Sequence, residues 1–140
     1  MERPAFLAVD WNGTVVPFFG REEFPEAIAV LHGLRAQGLY LCIVSHAEQE
    51  VIEQDVRRVG LIADEIHGVF EKAPVLAELR ARWGAGLMIG DQHEDWRAAQ
   101  AADIPFLQSR TNGQPAFQAA LDGFQTWSEV ALLLGKGACR

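Results

Sequence analysis

At 140 residues the chain is long enough for a single domain, spanning 1–140, whose core needs neither disulfides nor a structural metal. Its 49% hydrophobic and 22% charged residues are ordinary for a soluble globular protein. A formal net charge of -7 argues against a general nucleic-acid or membrane surface, both of which need clustered Lys and Arg.

Taken in chain order, Phe6 to Val9 reads as a short buried strand ending on Asp10. The segment Val15 to Phe24 reads as a small flap whose Phe18 and Phe19 either pack on the core or line the entrance to a site, core packing being the expectation. Pro25 opens a helix with Ile28, Leu31 and Leu34 at helical spacing and Gly38 as its stop. Leu39 to Val44 is a second strand, containing Cys42 as a buried thiol. Gln49 to Val59 is a helix carrying Val51, Ile52, Val56 and Val59, and Ile66 to Phe70 is a weaker strand broken by Gly68. Pro74 to Trp83 is a third helix, with Leu76, Leu79 and Trp83 on its apolar side. Gly86 to Ile89 and Pro105 to Leu107 are strands flanking a helix from His93 to Ala102. Ser109 to Pro115 is a polar loop, and Trp127 to Leu134 a final helix, with Cys139 at a frayed end. No apolar run nears the roughly 18 residues of a membrane span. The N-terminus lacks a secretory pattern and the two cysteines form no framework, so a reducing cytoplasm is expected.

Continuous rather than alternating apolar strands suggest a sheet covered on both faces, and the β-α-β-α order suggests a doubly wound, mainly parallel one. In such sheets ligands collect beyond the carboxyl ends of the strands. Asp10, Ser45 and Asp91 each follow a strand, and Lys72 precedes a helix, so four chain-distant polar residues converge on one edge. Singly, each is accounted for as a cap, a turn residue or a solvated side chain; together they support phosphoryl transfer. A carboxylate acts as nucleophile, a divalent cation offsets the two acids, and a hydroxyl with an ammonium binds phosphoryl oxygens. Asp10 and Asp91 fit the metal-holding acids, with Ser45 and Lys72 as phosphate clamps. Asp95 fits an exposed first-turn acid, or one that orients a metal-bound water or pairs with Lys72.

These residues sit in D-W-N-G-T (Asp10 to Thr14), V-S-H (Val44 to His46), E-K-A-P (Glu71 to Pro74) and G-D-Q-H-E-D (Gly90 to Asp95). In that order and spacing the sequence resembles the haloacid dehalogenase superfamily of phosphatases and phosphotransferases, from Phe6 to Leu107. The resemblance implies a three-layer α/β/α sandwich with a Rossmann-like sheet of strand order 5-4-1-2-3. It implies Mg2+ as cofactor, held by Asp10, the carbonyl of Asn12 and Asp91. Asp10 would be the nucleophile, with Asn12 and Lys72 as the other catalytic positions and Asp95 supporting. Thr14 would brace the loop and, with Ser45, His46 and Lys72, make up the substrate side. Neither Thr14 to Ser45 nor Ser45 to Lys72 has room for the cap domain that many members carry. The expected partner is a phosphorylated small molecule or a phosphoprotein at an open site, with no nucleic acid, no membrane, and a possible homo-oligomer as cover.

Asn12 departs from the family's pattern, which has an acid there to protonate the leaving group and activate water. An amide has no proton to exchange at neutral pH. Three readings stay open: a slow hydrolase in which His46, His93 or Glu94 supplies a base, a phosphate-binding or regulatory relative, or a substitution made to trap a phosphoenzyme. A receiver domain ranks below these, because its acid pair follows one strand whereas here the acids follow the first and fourth.

Overall fold

The structure, a computed structural model, describes residues 3–138, so Cys139 lies outside the described residues. Its strands are β1 (Phe6–Val9), β2 (Tyr40–Ser45), β3 (Glu65–Gly68), β4 (Gly86–Gly90), β5 (Phe106–Ser109) and β6 (Gly123–Phe124). Its helices are α1 (Ala27–Ala36), α2 (Gln49–Val59), α3 (Ala73–Trp83), α4 (His93–Ala101) and α5 (Trp127–Ala138). The sheet runs β3-β2-β1-β4-β5-β6, with every neighbour parallel. That is the expected order of five strands with a sixth added at the edge.

Two-residue periodicity along the strands builds the layers. Leu7, Val9, Leu41, Ile43, Leu87 and Ile89 face one core, packed against Leu31 of α1, Ile52 of α2 and Trp127 of α5. Phe6, Ala8, Cys42, Val44, Met88 and Phe106 face the other, against Leu76 of α3 and Ala99 of α4. Both faces of β1 are therefore covered, which explains its unbroken apolar run. With β1 between β2 and β4 in register (Phe6 opposite Tyr40 and Gly86), Asp10 emerges at the centre of the sheet's carboxyl edge.

Between Thr14 and Ser45 stand only a turn segment, α1 and β2; between Ser45 and Lys72 stand only α2 and β3. No domain is inserted at either place. Among the described residues no helix is long and apolar enough to cross a membrane.

Several packing expectations change. Phe18 is 61% exposed whereas Phe19 packs against the core, because the turn on which both sit has one inward side. Trp83 and Val51 are exposed; Trp83 stacks on Tyr40 at 4.4 Å at the amino edge of the sheet instead of entering the core. The third strand stops at Gly68, leaving Phe70 outside it.

Candidate active site

Asp10 is the first residue past β1, yet its amide still donates to the Ile89 carbonyl at 2.9 Å, so the ladder holds its backbone. The chain then turns sharply. Gly13, at φ +80, has the left-handed conformation that glycine adopts without strain. A Cβ there would stand 2.0 Å from Asp91 Oδ2, so the first loop closes directly onto the acid that follows β4.

The loop is tied from three sides. The Trp11 indole donates to Asp55 Oδ2 of α2 at 2.7 Å, and the Gly20 amide donates to Asp55 Oδ1 at 3.1 Å. The Gly13 carbonyl accepts from the Thr111 hydroxyl at 3.1 Å. The Thr14 carbonyl accepts from the Trp127 indole of α5 at 3.0 Å. Against partial burial, the hydrogen bonds from Arg58, Trp11 and Gly20 hold the Asp55 carboxyl below the usual carboxylate range.

Lys72 arrives from the segment between β3 and α3. Its buried Nζ donates to Asp10 Oδ1 and to Asp95 Oδ1, each at 2.7 Å. Asp95 is the third residue of α4, and its other oxygen accepts from the Gln92 amide at 3.2 Å, closing the first turn. A Cβ on Gly90 would stand 2.5 Å from Asp95 Oδ2, so a side chain at Gly90 would displace the carboxylate. Asp95 is thus a buried partner of Lys72 rather than an exposed acid.

The charges do not balance. Asp10, Asp91 and Asp95 bring carboxylate oxygens within 4.8 Å of one another, with one ammonium between two of them. Burial pushes the Asp10 carboxyl up to about 6, with Lys72 opposing and Asp91 adding to the rise. Burial and the charge of Asp10 likewise push Asp95 up to about 6, against Lys72. Lys72 is raised, the two carboxylates outweighing its desolvation. Asp91 Oδ1 and the side-chain Oδ1 of Asn12 are buried without any hydrogen-bond partner, an expensive state that a cation held by Asp91 would relieve for the first. An all-oxygen set of this kind fits magnesium. Asp91, with Oδ1 unpartnered, is the acid freest to hold it; Asp10 Oδ2 has only the Thr14 hydroxyl at 3.4 Å, whereas both Asp95 oxygens are engaged, by Lys72 at 2.7 Å and the Gln92 amide at 3.2 Å.

A cleft of about 170 Å3 opens over this set, lined by Asp10, Asn12, Ser45, His46, Lys72, Gln92, Glu94 and Asp95. Of the expected substrate-side residues, Ser45, His46 and Lys72 line it. Thr14 does not: it is fully buried, with its hydroxyl 3.4 Å from Asp10 Oδ2, a brace behind the acid. His93 is outside the cleft, stacked on Phe117 at 3.9 Å. Asp55, Thr111, Gln92 and Trp127 also line or anchor the site, and none of them is an expected site residue. For Asp55 a signal existed: an acid on the apolar stripe of α2, beside Ile52 and Val56.

The sequence matches no family model and no curated protein at a significant level. Solved structures are similar in fold. A HAD-superfamily hydrolase from Ehrlichia chaffeensis superposes with TM-score 0.75 at 13% identity, covering 98% of both chains. The D,D-heptose 1,7-bisphosphate phosphatase of B. bronchiseptica, complexed with magnesium and phosphate, gives 0.68 at 13% identity over 97% of this chain and 99% of that one. The cobalt-bound deoxy-D-mannose-octulosonate 8-phosphate phosphatase of Haemophilus influenzae gives 0.71 at 13% identity, covering 98% and 90%. Strand order, end-to-end superposition and the absence of any inserted domain agree: the chain has the capless fold of the haloacid dehalogenase-superfamily hydrolases.

Proposed function

We propose that the chain is a magnesium-dependent phosphomonoester hydrolase that works through an aspartyl phosphate on Asp10, slowed by Asn12. The observation that carries this reading is the buried Lys72 ammonium fixed between Asp10 and Asp95, beside the unpartnered oxygens of Asp91 and Asn12. The magnesium and phosphate bound by the structurally similar heptose bisphosphate phosphatase support the choice of ion and substrate group.

In the first step a carboxylate oxygen of Asp10 attacks phosphorus while the bond from phosphorus to the leaving oxygen breaks. The electron pair goes to the leaving oxygen, which takes a proton from water. Ser45 and Lys72 hold phosphoryl oxygens and offset their growing charge, with Asp95 keeping the ammonium in place. Asp10, the carbonyl of Asn12 and Asp91 would hold the metal, which when bound offsets the carboxylate and phosphate charges.

In the second step water attacks the phosphorus of the aspartyl phosphate. Inorganic phosphate leaves, the electron pair returns to Asp10, and a water proton passes to solvent. Asn12 lines the cleft where an acid would carry these protons. Lacking general acid-base help costs about 10²–10⁴-fold, chiefly in this step. His46 and Glu94 are the titratable groups at the rim. The substrate is a phosphorylated small molecule reaching an open cleft.

Asn12 also favours a second reading, a phosphate-binding relative that does not turn over. Hydrolysis of p-nitrophenyl phosphate with magnesium, by the chain and by Asn12→Asp, separates the two. The hydrolase reading expects slow turnover by the chain and a faster Asn12→Asp form. Turnover by Asn12→Asp alone supports the non-hydrolysing relative. If neither form turns over or binds magnesium, both fall.

A further inference from the structure

The cleft continues outward past His46 and Glu94. Both residues also line two grooves, of about 390 Å3 and about 730 Å3, and both grooves share Phe70. Phe70 is 95% exposed. Its backbone is nonetheless fixed on both sides. The amide of Val69 donates to the Ser45 carbonyl at 2.9 Å, and two residues beyond Phe70 the Lys72 ammonium is locked to Asp10 and Asp95.

The opposite wall is clamped to the same strand end. A Cβ on Gly68 would stand 2.5 Å from the Ala47 carbonyl, so the turn after Ser45 lies directly on Gly68. Gln49 accepts from the Gly68 amide at 2.7 Å and donates to the Ile66 carbonyl at 2.6 Å. Phe70 and His46 are therefore two parts of one rigid rim, built on the strand that ends at Ser45. Phe70 borders both grooves that open from the cleft, on a backbone fixed at either end, and that placement rather than its exposure suits contact with a ligand.

The charge of the rim narrows the ligand further. Glu48, Glu71 and Glu94 line the grooves with Arg97 and His46, and Arg97 is 3.6 Å from Glu94. Among the described residues neither Glu48 nor Glu71 has an ion-pair partner, which leaves the rim acidic.

We propose that this rim is the leaving-group subsite: Phe70 takes the flat face of an uncharged ring, and Glu48, Glu71 and Glu94 turn away leaving groups that carry a carboxylate. The inference rests on the phosphohydrolase reading and names the substrate class for the same cleft. The ring is a cyclic sugar or an aromatic alcohol, since both offer a flat face of C–H or π character.

Matched esters test it: phenyl phosphate, 4-carboxyphenyl phosphate, propyl phosphate and a hexose 6-phosphate, each with magnesium, on the chain and on its Asn12→Asp form. The subsite predicts kcat/KM about tenfold higher for phenyl than for 4-carboxyphenyl phosphate, the size of one like-charge repulsion near a surface. It predicts a similar preference for ring over propyl esters. Phe70→Ala brings the ring-to-propyl ratio towards one through KM, as loss of ground-state contact does. Replacing Glu48, Glu71 and Glu94 with Gln removes the discrimination against the carboxylate. The hexose ester distinguishes a sugar from an aromatic alcohol as the ring. Turnover indifferent to ring and charge, in the chain and both variants, overturns the subsite alone. No turnover of any ester in either form overturns the phosphohydrolase reading and the subsite with it.

Discussion

Gly13 and Asp91 are packed to the limit a glycine allows: a Cβ on Gly13 would stand 2.0 Å from Asp91 Oδ2. The loop after the first strand and the acid after the fourth are thereby one unit. Gly13→Ala must displace Asp91, so magnesium affinity is expected to fall about 10–100-fold, as when the support of a metal ligand is lost. Gly20 is the control. It has φ +79, but nothing lies within 4 Å of a Cβ there. Gly20→Ala should cost about 1 kcal/mol of stability and leave the affinity unchanged. Calorimetric titration of both variants checks this; equal affinities would show that the contact is not part of the metal site.

Three buried carboxylates cluster round one ammonium that pairs with only two of them, Asp10 and Asp95. Asp91→Asn removes a like charge and should stabilise the metal-free chain by about 1 kcal/mol, a gain made at the expense of function. The parent protein is expected to gain about 2.7 kcal/mol from magnesium at a hundred times its dissociation constant, and Asp91→Asn to lose that gain. Thermal unfolding with and without magnesium reads both effects. A variant that keeps the magnesium shift would remove Asp91 from the site.

Trp11 is fully buried, and its indole N–H has Asp55 as partner. Asp55→Ala leaves that donor unpaired and frees the Gly20 amide, at a cost of about 1–3 kcal/mol. A double-mutant cycle of Asp55→Ala with Trp11→Phe, followed by urea unfolding, should return a coupling of about 0.5–3 kcal/mol. Strict additivity would mean that the contact does not hold the loop.

Away from the site, Glu65 is a pH-dependent staple between β3 and α3. Against partial burial, hydrogen bonds from Tyr40, His67 and Arg82 pull its carboxyl down from 4.5 to about 2. A lowered carboxyl contributes stability that is complete above the unfolded value and is lost as pH falls through the folded one. Glu65→Gln should therefore cost roughly 1–2 kcal/mol at neutral pH, after solvent screening, with the difference shrinking between pH 4.5 and about 2. Urea midpoints across that range test the sign. A difference that grows on acidification contradicts it.

Much of the fold was legible because buried parallel strands write continuous apolar runs: the expected first strand and second helix coincide with Phe6–Val9 and Gln49–Val59. The β6 strand was not legible. Two residues carry no periodicity, and Gly123–Phe124 reaches β5 after a segment held back by the buried Gln108 side chain, which donates to Pro115 and accepts from Phe117. In the site, Asp10, Ser45, Lys72 and Asp91 follow from position at strand and helix ends. The loop's anchors do not, because Asp55, Thr111 and Trp127 act through contacts between elements far apart in the chain. Thr14 fits the bracing role that the resemblance implies, with its buried hydroxyl 3.4 Å from Asp10 Oδ2, and does not line the cleft.

Phosphate transferred to Asp10 should stall there, because Asn12 moves no proton. Rapid-quench release of p-nitrophenol with magnesium is the decisive measurement. A burst of about one equivalent per chain, a slow steady phase and an acid-stable phosphoenzyme are expected. Asn12→Asp should speed the steady phase by about 10²–10⁴ and erase the burst, while Asp10→Asn shows neither burst nor label. Acid-stable label persisting on Asp10→Asn, or steady turnover by the parent chain with no burst and no label, would contradict a phosphoenzyme stalled on Asp10.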